Sequence, residues 1–218
     1  MKIAISGTEN IFSLFHSGNL EILLKTANKY KIGYIELWVP DNVETSEINK
    51  AKILLDKYNI KVACLSSWKH LNSLGEEITT QKFLLEAIDI AEFLGSSIIN
   101  TYFGGNVKRS VEEAIQNCKE IIIPVLKKAK EKNVTIVLEN EFDPGKEDPN
   151  CTDITRKAER LLKLMEGINS PHFKCNFDAC NFYFAGEEPY PKAYEILKKH
   201  IGYVHLKDGA KYVSEVYD

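Results

Sequence analysis

Several familiar signals are missing from this sequence, and each absence removes a class of function. The five cysteines, Cys64, Cys118, Cys151, Cys175 and Cys180, include no CxxC pair and are odd in number. That argues against a disulfide framework or a zinc ribbon and predicts reduced thiols. No segment approaches the roughly 18 uninterrupted apolar residues of a membrane span. The apolar stretch inside "MKIAISGTEN" is too short for a signal peptide, so a soluble, cytoplasmic protein with no membrane partner is expected. Excess positive charge is lacking too: 28 Lys and Arg stand against 31 Asp and Glu, a formal net charge of -3. The densest basic run, "KKAKEK" at 127–132, falls at the end of a predicted helix, where cations complement the helix dipole. No nucleic-acid partner is therefore expected. Finally, the first apolar run is followed by "SGTENIF" and not by GxGxxG, so dinucleotide binding has no support.

What is present is an ordinary globular composition, 44% apolar and 27% charged, able to bury a sizeable core over one domain spanning 1–218. Seven short runs rich in β-branched residues punctuate the chain: "KIAIS" (2–6), "IGYIEL" (32–37), "IKVACL" (60–65), "SIINTY" (97–102), "VTIVLE" (134–139), "HFKCNF" (172–177) and "IGYVHL" (201–206). Amphipathic helix signals lie between them. Phe83, Leu84, Ala87, Ile88, Ala91 and Leu94 recur at helical spacing ahead of Gly95, a candidate left-handed cap. Ser110 and Glu113 form a capping box before a helix that Pro124 should bend, and "DITRKAERLLKLMEG" predicts a helix capped by Asp153 and stopped by Gly167.

Strand alternating with helix implies βα units and a parallel sheet. The runs start between 28 and 38 residues apart, a rhythm compatible with a doubly wound sheet but favouring a TIM (β/α)₈-type barrel with seven βα strands visible. An eighth strand is expected one step further on, at about 230 to 240. "GAKYVSEVYD" then reads as the start of a crossover, with the eighth unit truncated.

In such a barrel chemistry gathers where the strands end, and here those ends are acidic and polar. Glu36 closes the second run; Ser66, Ser67, Trp68 and His70 follow the third; Asn100, Thr101 and Tyr102 end the fourth. Glu139 and Asn140 end the fifth, Asp178 and Asn181 follow the sixth, and His205, Lys207 and Asp208 end the seventh. Singly, each has a structural explanation. Trp68 and Phe103 can cap a core, Gly104-Gly105 can turn the chain as readily as approach a phosphate, Asp178 can cap a helix, and His205 can be a satisfied core histidine. Jointly, Glu139, Asp178 and His205 sit at one level on three successive strands. Two carboxylates and an imidazole suit a divalent ion such as Mn²⁺, Co²⁺, Mg²⁺ or Zn²⁺, and two converging carboxylates would repel each other without a cation.

"YIEL" at 34–37, "LEN" at 138–140, "DACN" at 178–181 and "HLKD" at 205–208, in this order and each at a strand end, resemble the xylose isomerase-like TIM-barrel superfamily. That superfamily holds sugar and sugar-phosphate isomerases and epimerases and also endonuclease IV. The resemblance covers Met1 to Asp208. It implies that Glu139 is both metal ligand and acid/base group and that Asp178 and His205 are ligands. It also implies that Glu36, Trp68, Asn181, Lys207 and Asp208 contact a sugar or sugar phosphate, with a homo-oligomer among the possible assemblies. The reaction implied is proton transfer next to a carbonyl through an enediolate. A fourth ligand of the family is a Glu ending the eighth strand; Glu215, ten residues after His205, lies in the loop beyond strand seven and is not assigned that role. Two alternatives stay open: a catalytically inactive or truncated sugar-binding relative, and an abasic-site nuclease of the endonuclease IV kind.

Overall fold

A computed structural model describes residues 2–7, 19–104, 109–142 and 153–209. Seven strands lie within them: β1 (Ile5–Ser6), β2 (Tyr34–Trp38), β3 (Lys61–His70), β4 (Ile98–Tyr102), β5 (Thr135–Glu139), β6 (Phe173–Asp178) and β7 (Ile201–His205). The helices are α1 (Asn19–Lys29), α2 (Thr45–Tyr58), α3 (Glu77–Leu94), α4 (Val111–Glu131), α5 (Ala158–Ile168), α6 (Ala179–Phe184) and α7 (Tyr194–Leu197). All pairings are parallel, and the sheet order is β1 through β7 without a reversal. A doubly wound sheet needs a switch point where strand order turns back; this sheet has none, so the barrel reading holds. It also curls, because His205 on β7 reaches Glu36 on β2 at 3.0 Å. Among the described residues its edges are β1 and β7, beside which Val204 and Leu206 are exposed.

The helix signals resolve individually. Ser110 and Glu113 make both bonds of their capping box, and Gly95 adopts the left-handed conformation (φ 77°) that ends α3. The apolar face read from the sequence, Phe83 to Leu94, is buried against the sheet side, as are Ala114, Ile115, Cys118, Ile121, Ile122, Val125 and Leu126 of α4. Helix α4 runs on through Pro124. Its basic end does more than meet solvent: Lys128 donates to the Leu85 carbonyl at 2.9 Å and pairs with Asp89, and Lys132 pairs with Glu92, clipping α4 to α3.

The helix expected from Asp153 to Gly167 is corrected in two places. Asp153 caps only a short turn, Ile154–Arg156, and the chain becomes extended at Lys157 before α5 begins at Ala158. Gly167 lies inside α5; the helix ends one residue later, and Asn169 takes the left-handed cap (φ 48°). Strand β3 also continues beyond its apolar run to His70, so Ser66, Ser67 and Trp68 belong to the strand itself. Cys64, Cys118, Cys175 and Cys180 are free thiols, while Cys151 lies outside the described residues.

Candidate active site and metal centre

The parallel register brings the polar strand ends together. Asp178 on β6 stands opposite His205 on β7, and Glu139 on β5 stands opposite Asn176 on β6. Asn140 extends this pairing one residue past β5: its side-chain oxygen accepts from the Asp178 N–H (2.8 Å) and its Nδ2 donates to the Asp178 carbonyl (2.9 Å). Asp178 is therefore fixed at both backbone groups. Its Oδ1 accepts from the Asn181 N–H (2.8 Å) and so caps α6, while Oδ2, also buried, meets the Lys207 ammonium at 3.0 Å as an ion pair without a well-aligned hydrogen bond. The capping role and the site role thus fall to different oxygens of one carboxylate.

Glu139 is 3% exposed. Its Oε2 accepts from Asn100 Nδ2 (2.8 Å) and Asn176 Nδ2 (3.3 Å), and its Oε1 accepts from Asn181 Nδ2 (3.3 Å) and lies 3.0 Å from His205 Nδ1. The other ring nitrogen of His205, Nε2, is 3.0 Å from Oε2 of Glu36, whose Oε1 accepts from Ser66 Oγ at 2.7 Å. His205 is thus a bridge between two buried carboxylates. Burial alone would lower its pKa, but hydrogen bonds to Glu139 and Glu36 reverse that and raise it to about 10, so both nitrogens carry protons at neutral pH. Burial likewise works to raise the Glu139 pKa, yet the bond from His205 holds it below the usual carboxylate value. Burial prevails at Asp178 and raises its pKa, against the opposing pull of Lys207.

Donor atoms of Glu139, Asp178 and His205 lie within 4.8 Å of one another. This O,O,N set fits a divalent ion: carboxylate and imidazole ligands suit Mg²⁺, Mn²⁺, Co²⁺ and Zn²⁺. Glu36 has the place of the carboxylate that commonly accepts a ligand histidine's second N–H and fixes its tautomer. Glu36 therefore meets His205 and Ser66, where the sequence led one to expect substrate or a neighbouring polar group.

A cavity of about 1460 Å³ opens beside these groups, lined among others by Glu36, Glu139, His205, Lys207 and Glu141. One wall is aromatic. The rings of Trp38 and Trp68 are 4.3 Å apart between centroids, Trp38 stacks on Tyr102 at 5.7 Å, and His70 meets Tyr102 edge-on. Trp68 is 44% exposed and not a core cap, whereas Phe103 is fully buried. Lys207 lies 5.6 Å from the Phe142 ring centroid. Asp208 is not drawn into this group: exposed on the rim, it accepts a hydrogen bond from the Gly209 N–H. Gly104 has φ 83°, which favours glycine, and packs against His70; Gly105 and Glu215 lie outside the described residues.

Sequence reasoning overlooked four contributors. Asn176 sits mid-run in "HFKCNF", Trp38 is one residue past "IGYIEL", and Tyr203 is interior to β7; none stands at the end of an apolar run. Glu141 follows "LEN" directly, and an acid two residues after a strand-end acid was the available signal. Its pKa is pushed up to about 8, by burial first and then by the Glu139 and Asp153 carboxylates. Burial and the Glu36 carboxylate raise the Tyr203 pKa.

Comparisons with known proteins agree with this fold. A magnesium-complexed xylose isomerase-like TIM barrel protein from Mycobacterium smegmatis superposes with a TM-score of 0.74 at 14% identity, covering 98% of this chain and 78% of that one. The 3-keto-D-glucoside 4-epimerase of E. coli gives a TM-score of 0.77 at 11% identity, over 95% of this chain and 79% of that one. In sequence, a probable endonuclease 4 from Mycoplasma mobile is 28% identical over 137 residues; the match takes in 62% of this chain and less than half, 44%, of that relative's length. The family model described as "Xylose isomerase-like TIM barrel" matches residues 24–215, nearly the whole chain, and it joins the unreversed parallel barrel and the strand-end site in one conclusion: the chain belongs to that family.

Proposed function

We propose that this site belongs to a divalent-metal-dependent sugar or sugar-phosphate isomerase or epimerase, which moves a proton at the carbon next to a carbonyl. The observation that carries the reading is the convergence of Glu139, Asp178 and His205 at successive strand ends, with Glu36 holding the far nitrogen of the histidine. Glu139, Asp178 and His205 would hold the ion. When bound, it supplies electrophilic stabilisation of the negative charge that develops on the substrate carbonyl oxygen.

The rest falls to the chain. Glu36, by accepting from Nε2, presents Nδ1 of His205 toward the ion site. Asn100 and Asn176 hold Oε2 of Glu139, which leaves Oε1 as the oxygen facing His205 and the site. Glu139 is the acid/base group that takes the proton as the enediolate forms; its return from Glu139 to the neighbouring carbon gives the isomer, whereas inversion at the same carbon requires a second acid on the opposite face. Lys207 and Trp68 bound the space where the polyol lies, Lys207 being held by Asp178 and Phe142, while Asn181 acts through the Glu139 carboxylate, to which it donates at 3.3 Å. The kinship with a sugar epimerase fold supports the substrate class.

The test is proton exchange. Chain supplied with Mn²⁺ and incubated in D₂O with a panel of ketoses should introduce deuterium at the carbon beside the carbonyl, seen by NMR, and Glu139→Gln should abolish this. A chain that holds the ion yet exchanges no proton in any sugar would overturn the catalytic reading in favour of a sugar-binding relative. A second reading, abasic-site nuclease, is favoured by the sequence match to a probable endonuclease 4. Metal-dependent nicking of an abasic duplex, with salt-sensitive binding, would establish it.

A further inference from the structure

We infer that Lys207 is a displaceable counter-ion: it holds Asp178 in the ion-free chain and leaves it when a divalent ion binds, which turns its ammonium into the cavity beside the substrate. The inference rests on the metal reading above and adds an order of events to it.

The first observation is that Asp178 cannot turn away to meet an ion. Its backbone N–H and C=O are both held by the Asn140 side chain, at 2.8 and 2.9 Å. Its Oδ1 accepts from the Asn181 N–H at 2.8 Å and caps α6. That leaves Oδ2 for an ion. This atom is buried and has no hydrogen-bond partner among the described residues, yet Lys207 Nζ stands 3.0 Å from it as an ion pair. The oxygen an ion needs is the oxygen that Lys207 covers.

The second observation is that Lys207 can move where Asp178 cannot. It lies two residues past the end of β7, its side chain is 44% exposed, and its neighbour Leu206 is 82% exposed. Its contact with Oδ2 lacks a well-aligned hydrogen bond, so little directional bonding is lost on leaving. A second seat is close by. The centroid of the Phe142 ring is 5.6 Å from Nζ, and the Glu141 carboxyl lines the same cavity.

Charge decides between staying and leaving. One carboxylate charge holds the ammonium now, whereas an ion ligated by Oδ2 sets two positive charges against it, and the balance on Nζ turns from attraction to repulsion. Two consequences follow. A chain whose Oδ2 is covered must uncover it before it binds an ion, so the apparent affinity falls in proportion to the uncovered fraction. The ammonium also reaches the cavity only in the ion-loaded chain, where it can donate to a substrate oxygen that gains negative charge.

Calorimetric titration of the chelator-treated full chain with Mn²⁺ tests the competition, and a crystal structure of the Mn²⁺-loaded wild-type chain tests the movement. Lys207→Met, which keeps the length of a half-exposed side chain and removes its charge, should bind Mn²⁺ about three- to ten-fold more tightly than wild type. Lys207→Arg, which returns the charge, should bind no more tightly than wild type. In the loaded crystal, Nζ and Oδ2 should be more than about 4 Å apart, beyond ion-pair distance. Unchanged or weaker binding by Lys207→Met, binding by Lys207→Arg as tight as by Lys207→Met, or an intact Lys207–Asp178 pair beside the bound ion would each overturn the inference. These outcomes separate from the reading beneath it. An ion bound with Lys207 still on Asp178 refutes the displacement and leaves the metal centre standing; a displaced Lys207 in a chain that exchanges no sugar proton does the reverse to the isomerase reading. A wild-type chain that binds no Mn²⁺ removes both.

Discussion

Replacing Glu139 by glutamine preserves shape and removes two things, the negative charge and the ability to accept hydrogen bonds at both terminal atoms. In the native site Oε2 receives Asn100 at 2.8 Å and Asn176 at 3.3 Å, and Oε1 receives Asn181 at 3.3 Å and His205 at 3.0 Å. Whichever way the new amide turns, its NH₂ faces two donors. With the carbonyl kept toward Asn100 and Asn176, the NH₂ meets Asn181 and a protonated Nδ1. His205 relieves part of this by giving up its proton and becoming the acceptor, so its pKa should fall from about 10 toward neutrality. What is lost is a charge-assisted hydrogen bond, about 1.5–3 kcal/mol, and what remains is an unmatched contact with Asn181 of about 1 kcal/mol or more. Glu139→Gln should therefore destabilise the ion-free protein by about 2–4 kcal/mol, a drop in Tm of about 4–16 °C for a chain of this size. Urea and thermal unfolding measure the stability, and NMR titration of the His205 ring measures the pKa. A Tm within about a degree of wild type, together with an unaltered His205 titration, would refute the picture of Glu139 as the shared acceptor of this network.

The same histidine sets a pH dependence. Its folded pKa of about 10 lies above the roughly 6.5 of an unfolded histidine. Its pairing with Glu36 and Glu139 therefore contributes full stability below about pH 6.5, and that contribution is lost as pH rises through about 10. Urea midpoints in chelator should fall over this window, and His205→Gln should flatten the fall. Asn140→Ala leaves the buried N–H and C=O of Asp178 without their side-chain partners, a loss of about 2–4 kcal/mol, and it should also weaken ion binding measured by calorimetry because Asp178 is no longer fixed. Gly104→Ala puts a methyl group 2.8 Å from His70 Cβ at a φ of 83°; about 1–3 kcal/mol of stability should be lost, with a shifted His70 ring signal by NMR.

The order of elements was legible because each strand is a compact β-branched run and each helix carries its own boundary chemistry. Ser110 with Glu113, Gly95 and Asp153 each cap an adjoining helix or turn. Misread boundaries came from tertiary context. Gly167 fails to stop α5 because Asn169 supplies the left-handed cap instead, and Ser66 to His70 stay extended because β3 pairs with β4 as far as Tyr102. The convergence of Glu139, Asp178 and His205 was legible because strand-end position is a property of each run alone. Its supports were not: that Asn176 lies opposite Glu139, or that Glu36 reaches a histidine 169 residues away, depends on register and on the curl of the sheet. The aromatic wall was half visible, since Trp68 stood after its run while Trp38, which holds it in place, looked like a residue just beyond a strand.

The claim on which the rest depends is that Glu139, Asp178 and His205 form one ion site. Calorimetric titration of chelator-treated chain with Mn²⁺, checked by electron paramagnetic resonance, tests it directly. One Mn²⁺ per chain is expected, with affinity reduced at least about ten-fold by Asp178→Asn or by His205→Gln and left unchanged by Asp208→Asn on the exposed rim. No saturable ion in the wild-type chain, or binding that survives both ligand substitutions undiminished, would contradict a metal centre at these three strand ends.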